Sequence, residues 1–185
     1  GSRRRRRRRP KRSGGGDRPR PPRDPESVAA LTAEIKNRWG GVDGLVNNAG
    51  IAPMARLDET TDDIWDETFA VNVRGPFLLC RELGALLHQG ASSSVVNVSS
   101  TLAERAIPGM AAYNASKAAL NQLTRSLALE WAPRVRVNAI MPAVVDTPIH
   151  ATRGMSAEQV EAMGEMHPMK RVGRPEDVAA MIVFL

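Results

Sequence analysis

Short β-branched runs alternate with longer stretches of helical period along most of this chain, and that alternation restricts the fold more than any other feature. "VDGLVNNAGI", "SSSVVNVSS" and "VRVNAIMPAVV" read as strands. Before the first, "DPESVAALTAEIKNRWGG" opens with Asp24 as N-cap and Pro25 in the first helical position, turns Val28, Leu31 and Ile35 to one face, and stops at Gly40. Between the first two strands, "TDDIWDETFAVNVRGPFLLCRELGALLHQG" starts at a capping Thr61 or Asp62, and Pro76 is expected to kink it or divide it into two helices. Between the second and third, "MAAYNASKAALNQLTRSLALEWAP" is helical with Leu120, Leu123 and Leu127 on its buried side. A polar loop, a short helix from Ser156 and a last helix starting at Pro175 complete the series. Strands joined through helices of this length pair in parallel by right-handed crossovers. The fold class is therefore α/β, a parallel sheet with helices on both faces.

The first 24 residues do not belong to this pattern. "GSRRRRRRRPKRSGGGDRPRPPRD" has no hydrophobic period, cannot offset its ordering entropy by burial, and is expected to be a disordered tail. Residues 1–25 hold twelve Lys or Arg against two Asp, a net of +10; the whole chain carries +6, so residues 26–185 carry −4. The basic character belongs to the tail, and the remainder is mildly acidic. Such a tail could bind nucleic-acid phosphates or serve as a nuclear address. Pro and Gly argue against a transit peptide, while the Arg, Gly and Pro bias and the Gly-Ser opening also suit a reading frame that is not the natural one. The basic stretch is not followed by an apolar segment, and no apolar run approaches a membrane span, so a cytoplasmic protein without a membrane anchor is expected. The single cysteine, Cys80, lies in an apolar run and reads as a packed core thiol. His88, His150 and His167 have no partners at metal-ligand spacing, and no metal site is expected.

Ligands of open parallel sheets bind beyond the carboxyl ends of the strands. The three strands end in Asn47-Asn48-Ala49-Gly50, in Ser99-Ser100, and in Pro142-Ala143 with Thr147 just after. Tyr113, the only tyrosine, stands four residues before Lys117 on the helix after the second strand, so phenol and ammonium are neighbours on one face. Each residue also has a plain structural reading: Asn72 facing solvent, Ser100 capping a turn, Asn47 in a turn.

Taken together and in order, "LVNNAG", "FAVNVRGPF", "VVNVSS", "YNASK", "RVNAIMP" and "GRPEDVA", with Ser100 thirteen residues before Tyr113, resemble the short-chain dehydrogenase/reductase family, and among its members those like the 3-oxoacyl-acyl-carrier-protein reductases. The resemblance covers residues 24 to 185 and implies a partial, Rossmann-like, doubly wound sheet. It implies an NAD- or NADP-dependent oxidoreductase that interconverts a carbonyl and a secondary alcohol. Tyr113 would be the general acid and base. A free phenol titrates near ~10, and the ammonium of Lys117 would favour the phenolate. Ser100 would hydrogen-bond the substrate oxygen, and Asn72 would hold a water connecting Lys117 to solvent. Asn47 would border the adenosine ribose, Tyr113 and Lys117 the nicotinamide ribose, and Val145 and Thr147 the carboxamide. Family members form dimers or tetramers through the helices bearing Asn72 and Tyr113, so a homo-oligomer is implied, with those helices apolar on their outer side. The segment from Pro148 to Arg171 would form a lid over a small carbonyl or alcohol substrate.

The chain departs from the family in one large respect. The Gly-rich turn that receives the pyrophosphate at a helix N-terminus has no counterpart, nor do the strands that flank it or the strand beyond the last helix. "SGGGD" at 13–17 has neither a strand before it nor an apolar helix after it, and Ala143 stands where the family usually has Gly. The chain as given is therefore expected not to transfer hydride. The alternative is a half-fold binding protein, without enzymatic activity, whose tail holds nucleic acid; a salt-sensitive gel shift lost on deleting residues 1–24 would distinguish it.

Overall fold

The computed structural model describes residues 24–185, so the tail expected over 1–24 lies, apart from Asp24, outside the described residues. The elements are α1 (Pro25–Trp39), β1 (Gly44–Asn47), α2 (Asp62–Phe69), α3 (Gly75–Leu87), β2 (Ser93–Val98), α4 (Ala111–Trp131), β3 (Val135–Ile140), α5 (Ala157–Ala162) and α6 (Pro175–Phe184). Local chemistry sets most boundaries. The carboxylate of Asp24 accepts from the Ser27 N–H at 2.8 Å, and Gly40 closes α1 with φ 75°, the left-handed conformation that glycine adopts without steric cost. Thr61, rather than Asp62, caps α2, and Ser156 forms a capping box with Gln159 at α5.

β1, β2 and β3 form one parallel sheet in that order, with Leu45 beside Val95 and Val95 beside Val137. Because side chains alternate across a strand, these three residues share one face. Against that face pack Leu83, Leu86 and Leu87 of α3, Ile35 of α1, and Leu127 and Trp131 of α4. Val46 and Val98 point to the opposite face, where Val178 and Ile182 of α6 stand across a cavity from them. The hydroxyl of Ser94 and the guanidinium of Arg136 both donate to the Leu185 carbonyl and tie the end of α6 there. Helices thus lie on both faces, with the greater part on one, and Val46 on the outer strand remains 47% exposed.

The segment expected to be kinked or divided at Pro76 is continuous. α2 runs into α3 through one π turn, Ala70–Arg74, closed by the Gly75 N–H bonding to the Ala70 carbonyl. Pro76 then enters the first turn of α3, where its missing N–H is tolerated. On the outer side of this helix Trp65 stacks on Phe69 at 4.9 Å, and Arg81 lies over Phe77 at 5.4 Å. The outer side of α4 is mixed, with Ala118, Gln122, Arg125 and Leu129 exposed. Among the described residues no helix is long and apolar enough to cross a membrane, and no group of three or more His, Cys, Asp or Glu is placed to hold a metal ion.

Candidate active site

The loops after β2 and β3 extend side by side beyond the sheet, because the Ser99 N–H bonds to the Ile140 carbonyl and the Thr101 N–H to the Pro142 carbonyl. Together with the start of α4, the segment 149–168 and α6 they line a cavity of about 840 Å³. Ser100, Tyr113 and Val145 line it. Ser100 is also the cap of a short 3-10 turn, its oxygen accepting from the Leu102 N–H at 3.1 Å, which leaves its hydroxyl proton for another acceptor.

Lys117 is one turn behind Tyr113 and almost fully buried. Its Nζ lies 5.8 Å from the centre of the Tyr113 ring and donates to the Val98 carbonyl at 2.7 Å. Burial works against the charge and holds the ammonium down at about 8. Lys117 still has two N–H protons beyond the one given to Val98.

Asn72 sits in the π turn with no exposed surface. Its side chain treats Ile51 as a strand neighbour would: Oδ1 accepts from the Ile51 N–H at 2.9 Å, and Nδ2 donates to the Ile51 carbonyl at 2.9 Å. Nδ2 also donates to Ser116 Oγ, which donates in turn to the Tyr113 carbonyl. Asn72 therefore fixes the loop after β1 against the helix that carries Tyr113 and Lys117.

Two expected residues lie elsewhere. The Asn47 side chain shares the face of Leu45 and turns into the helix layer, donating to Asn97 Oδ1 at 2.8 Å and to Cys80 Sγ at 3.7 Å. Asn97 continues the chain to Thr124 at 2.8 Å. Asn48, one place on and on the other face, lines the cavity instead. Thr147 begins the turn that leads to His150, whose N–H bonds to the Thr147 carbonyl, and is not among the cavity-lining residues. Cys80 is buried and its thiol is pushed up to about 11 by that burial, the state of a packed core thiol.

Two residues that the motifs did not point to also line the cavity. His150 Nε2 is 2.8 Å from the Val145 carbonyl and steadies that loop, while its Nδ1 is buried with no partner. Arg153 Nε donates to the Ala52 carbonyl at 3.1 Å, and its guanidinium lies 5.5 Å from the centre of the Tyr113 ring.

The sequence model of the enoyl-(acyl carrier protein) reductase family matches residues 23–185. Human dehydrogenase/reductase SDR family member 4 is 38% identical over 162 residues, 86% of this chain and 58% of that protein. The chain belongs to the short-chain dehydrogenase/reductase family. A second member of the family, the NAD-dependent glycerol dehydrogenase of Listeria innocua, is 35% identical over 161 residues, 86% of this chain and 63% of its own length. Among solved structures of the family, the gluconate 5-dehydrogenase of Burkholderia cenocepacia in complex with NADP and tartrate superposes with a TM-score of 0.82 at 27% identity, covering 89% of this chain and 65% of that one. The chain thus spans about three fifths of the length of these short-chain dehydrogenases.

Proposed function

We propose that residues 24–185 are the catalytic and nicotinamide-binding part of an NAD- or NADP-dependent oxidoreductase that interconverts a carbonyl and a secondary alcohol. The observation that carries this reading is the convergence of Ser100 and Tyr113 on one cavity, with the buried ammonium of Lys117 directly behind the phenol. The cavity is large enough for a nicotinamide riboside. Asn48 and Val145 line it and offer a polar group and apolar wall, and Lys117, with two N–H protons beyond its bond to Val98, stands behind Tyr113 rather than in the lining, so the residues present fit that end of the cofactor. Among the described residues no Gly-rich turn stands ready for the pyrophosphate.

A reduced nicotinamide, when bound, supplies hydride to the carbonyl carbon. Tyr113 gives its phenolic proton to the carbonyl oxygen as charge develops there, and takes it back in the oxidising direction. Ser100 donates its hydroxyl proton to the same oxygen and holds it in place. Lys117 favours the tyrosinate by its charge and binds the nicotinamide ribose, with Tyr113 beside it. Asn72 takes part through its place in the π turn. Pro76 brings no N–H to the ladder there, so a main-chain carbonyl of the turn would be free to hold the water that connects Lys117 to solvent. Val145, which lines the cavity, would border the carboxamide, and Thr147 would act there only through the turn it starts. Asn47 contributes to the adenosine side only through its backbone, since its side chain is committed to Asn97. The exposed aromatics Trp65 and Phe77 on the α2–α3 helix favour a homo-oligomer formed through that surface.

The 185-residue chain alone is expected to show no hydride transfer and no thermal shift with millimolar NADH or NADPH. A site of ~10 μM affinity would instead stabilise it by about 2.7 kcal/mol at 1 mM ligand. The catalytic reading is tested by joining residues 24–185 behind the Gly-rich strand and helix of a relative. The joined protein should oxidise or reduce a small substrate with one of the two nucleotides, and Tyr113→Phe should lower kcat at least ~100-fold. Turnover untouched by Tyr113→Phe would refute the assignment.

A further inference from the structure

The charge around the cavity is opposite to that of the domain. Residues 26–185 carry a net −4, yet no Asp or Glu is among the described residues that line the cavity, while Arg105 and Arg153 both are. Arg105 is exposed at the rim. Arg153 is held inside, half-buried, by its Nε bond to the Ala52 carbonyl.

The environment of Arg153 is incomplete. None of the ion pairs among the described residues includes it. Burial holds its pKa below the usual arginine value, and the neighbouring Tyr113 offsets only part of that effect. A guanidinium keeps its proton regardless, so a charge has been moved out of water without a counter-charge. With Nε committed to Ala52, the two terminal nitrogens remain as a planar fork, the geometry that matches a carboxylate. The fork lies over the ring of Tyr113, 5.5 Å from its centre.

We propose that Arg153 is the anchor for a carboxylate on the substrate, so that this site takes short oxo acids and the corresponding hydroxy acids. The 5.5 Å between the guanidinium and the phenol ring requires the carboxylate to lie only a few bonds from the reacting carbonyl, as in a 2-oxo or 3-oxo acid. The remaining wall, with Leu102, Ile149 and Met163, suits a small aliphatic remainder. The assignment rests on the reading of Tyr113 as proton donor, but it concerns binding and can fail separately from that reading.

The test is thermal unfolding of the full chain with millimolar acetoacetate or its methyl ester, for the wild type, Arg153→Gln and Arg153→Lys. The acid should raise Tm by about 2–4 °C near saturation and the ester should not. The rise should vanish in Arg153→Gln and survive in part in Arg153→Lys. An equal response to acid and ester, no response to either, or a rise retained in Arg153→Gln would overturn the proposal. An equal, Arg153-dependent rise with inorganic phosphate at the same ionic strength would assign the arginine to a phosphate and overturn it as well. Because no hydride is transferred in this assay, the oxidoreductase reading is judged independently by Tyr113→Phe in the joined protein.

Discussion

Replacing Lys117 by Met should change how stability depends on pH, in a direction fixed by burial. In the folded chain the Lys117 ammonium titrates at about 8, against an ordinary value of 10.5. Between those two values the unfolded chain keeps a proton that the folded chain has released, so stability rises with pH across that window. Below about pH 7 both states are protonated and the full cost of the buried charge is present, about 3 kcal/mol for a shift of this size. By pH 9 about 1 kcal/mol of that cost has been relieved. Methionine has no charge to bury, so its stability advantage over lysine should fall by about 1 kcal/mol from pH 7 to pH 9 and stay flat from pH 5 to pH 7. Urea unfolding of both proteins at each pH measures this directly. Every other titrating group is common to the two, and the bond to the Val98 carbonyl is lost at all pH values alike. A Lys117→Met difference constant to within a few tenths of a kcal/mol between pH 7 and pH 9 would show that Lys117 is not held below its ordinary pKa.

Asn72→Ala should destabilise the fold by about 3 kcal/mol in urea unfolding, because it leaves the Ile51 N–H and carbonyl and the Ser116 hydroxyl without their common partner. A loss below about 1 kcal/mol would mean that water replaces the side chain there. Leu87→Ala, at a position with no exposed surface, should cost about 3 kcal/mol. Leu129→Ala on the outer side of α4, 84% exposed, should stay within about 0.5 kcal/mol by the same measurement.

What could be read from the chain beforehand follows the range of the interactions involved. Asp24, Gly40, Ser156 and Pro175 announce helix ends because a cap is decided within four residues of itself. The pairing of Tyr113 with Lys117 was legible for the same reason, being a matter of helical spacing. Ser100 joins them only through the crossover from β2 to α4, and motif order supplied that. The direction of the Asn47 side chain was present in strand alternation: Leu45 and Asn47 share a parity, so a strand that buries Leu45 against the helices sends the Asn47 side chain there too. The π turn gave no signal of its own, and the clasp it carries joins Asn72 to Ile51, 21 residues earlier. Arg153 was one polar residue of a mixed loop until its bond to Ala52, more than a hundred residues earlier, fixed where its charge stands.

The π turn also sets a count. A helix containing it holds one residue more than a plain α-helix joining the same two ends. Deleting any one residue between Ala70 and Arg74 would let the ladder close as a plain α-helix between the same two ends. Leu83 and Leu87 would keep their places against Val95 and Val137, while the widened turn that aims Asn72 at Ile51 would be lost. Chain length between Thr68 and Leu78 is therefore held to a fixed number of residues, while the outward position Arg74 is free to change in kind.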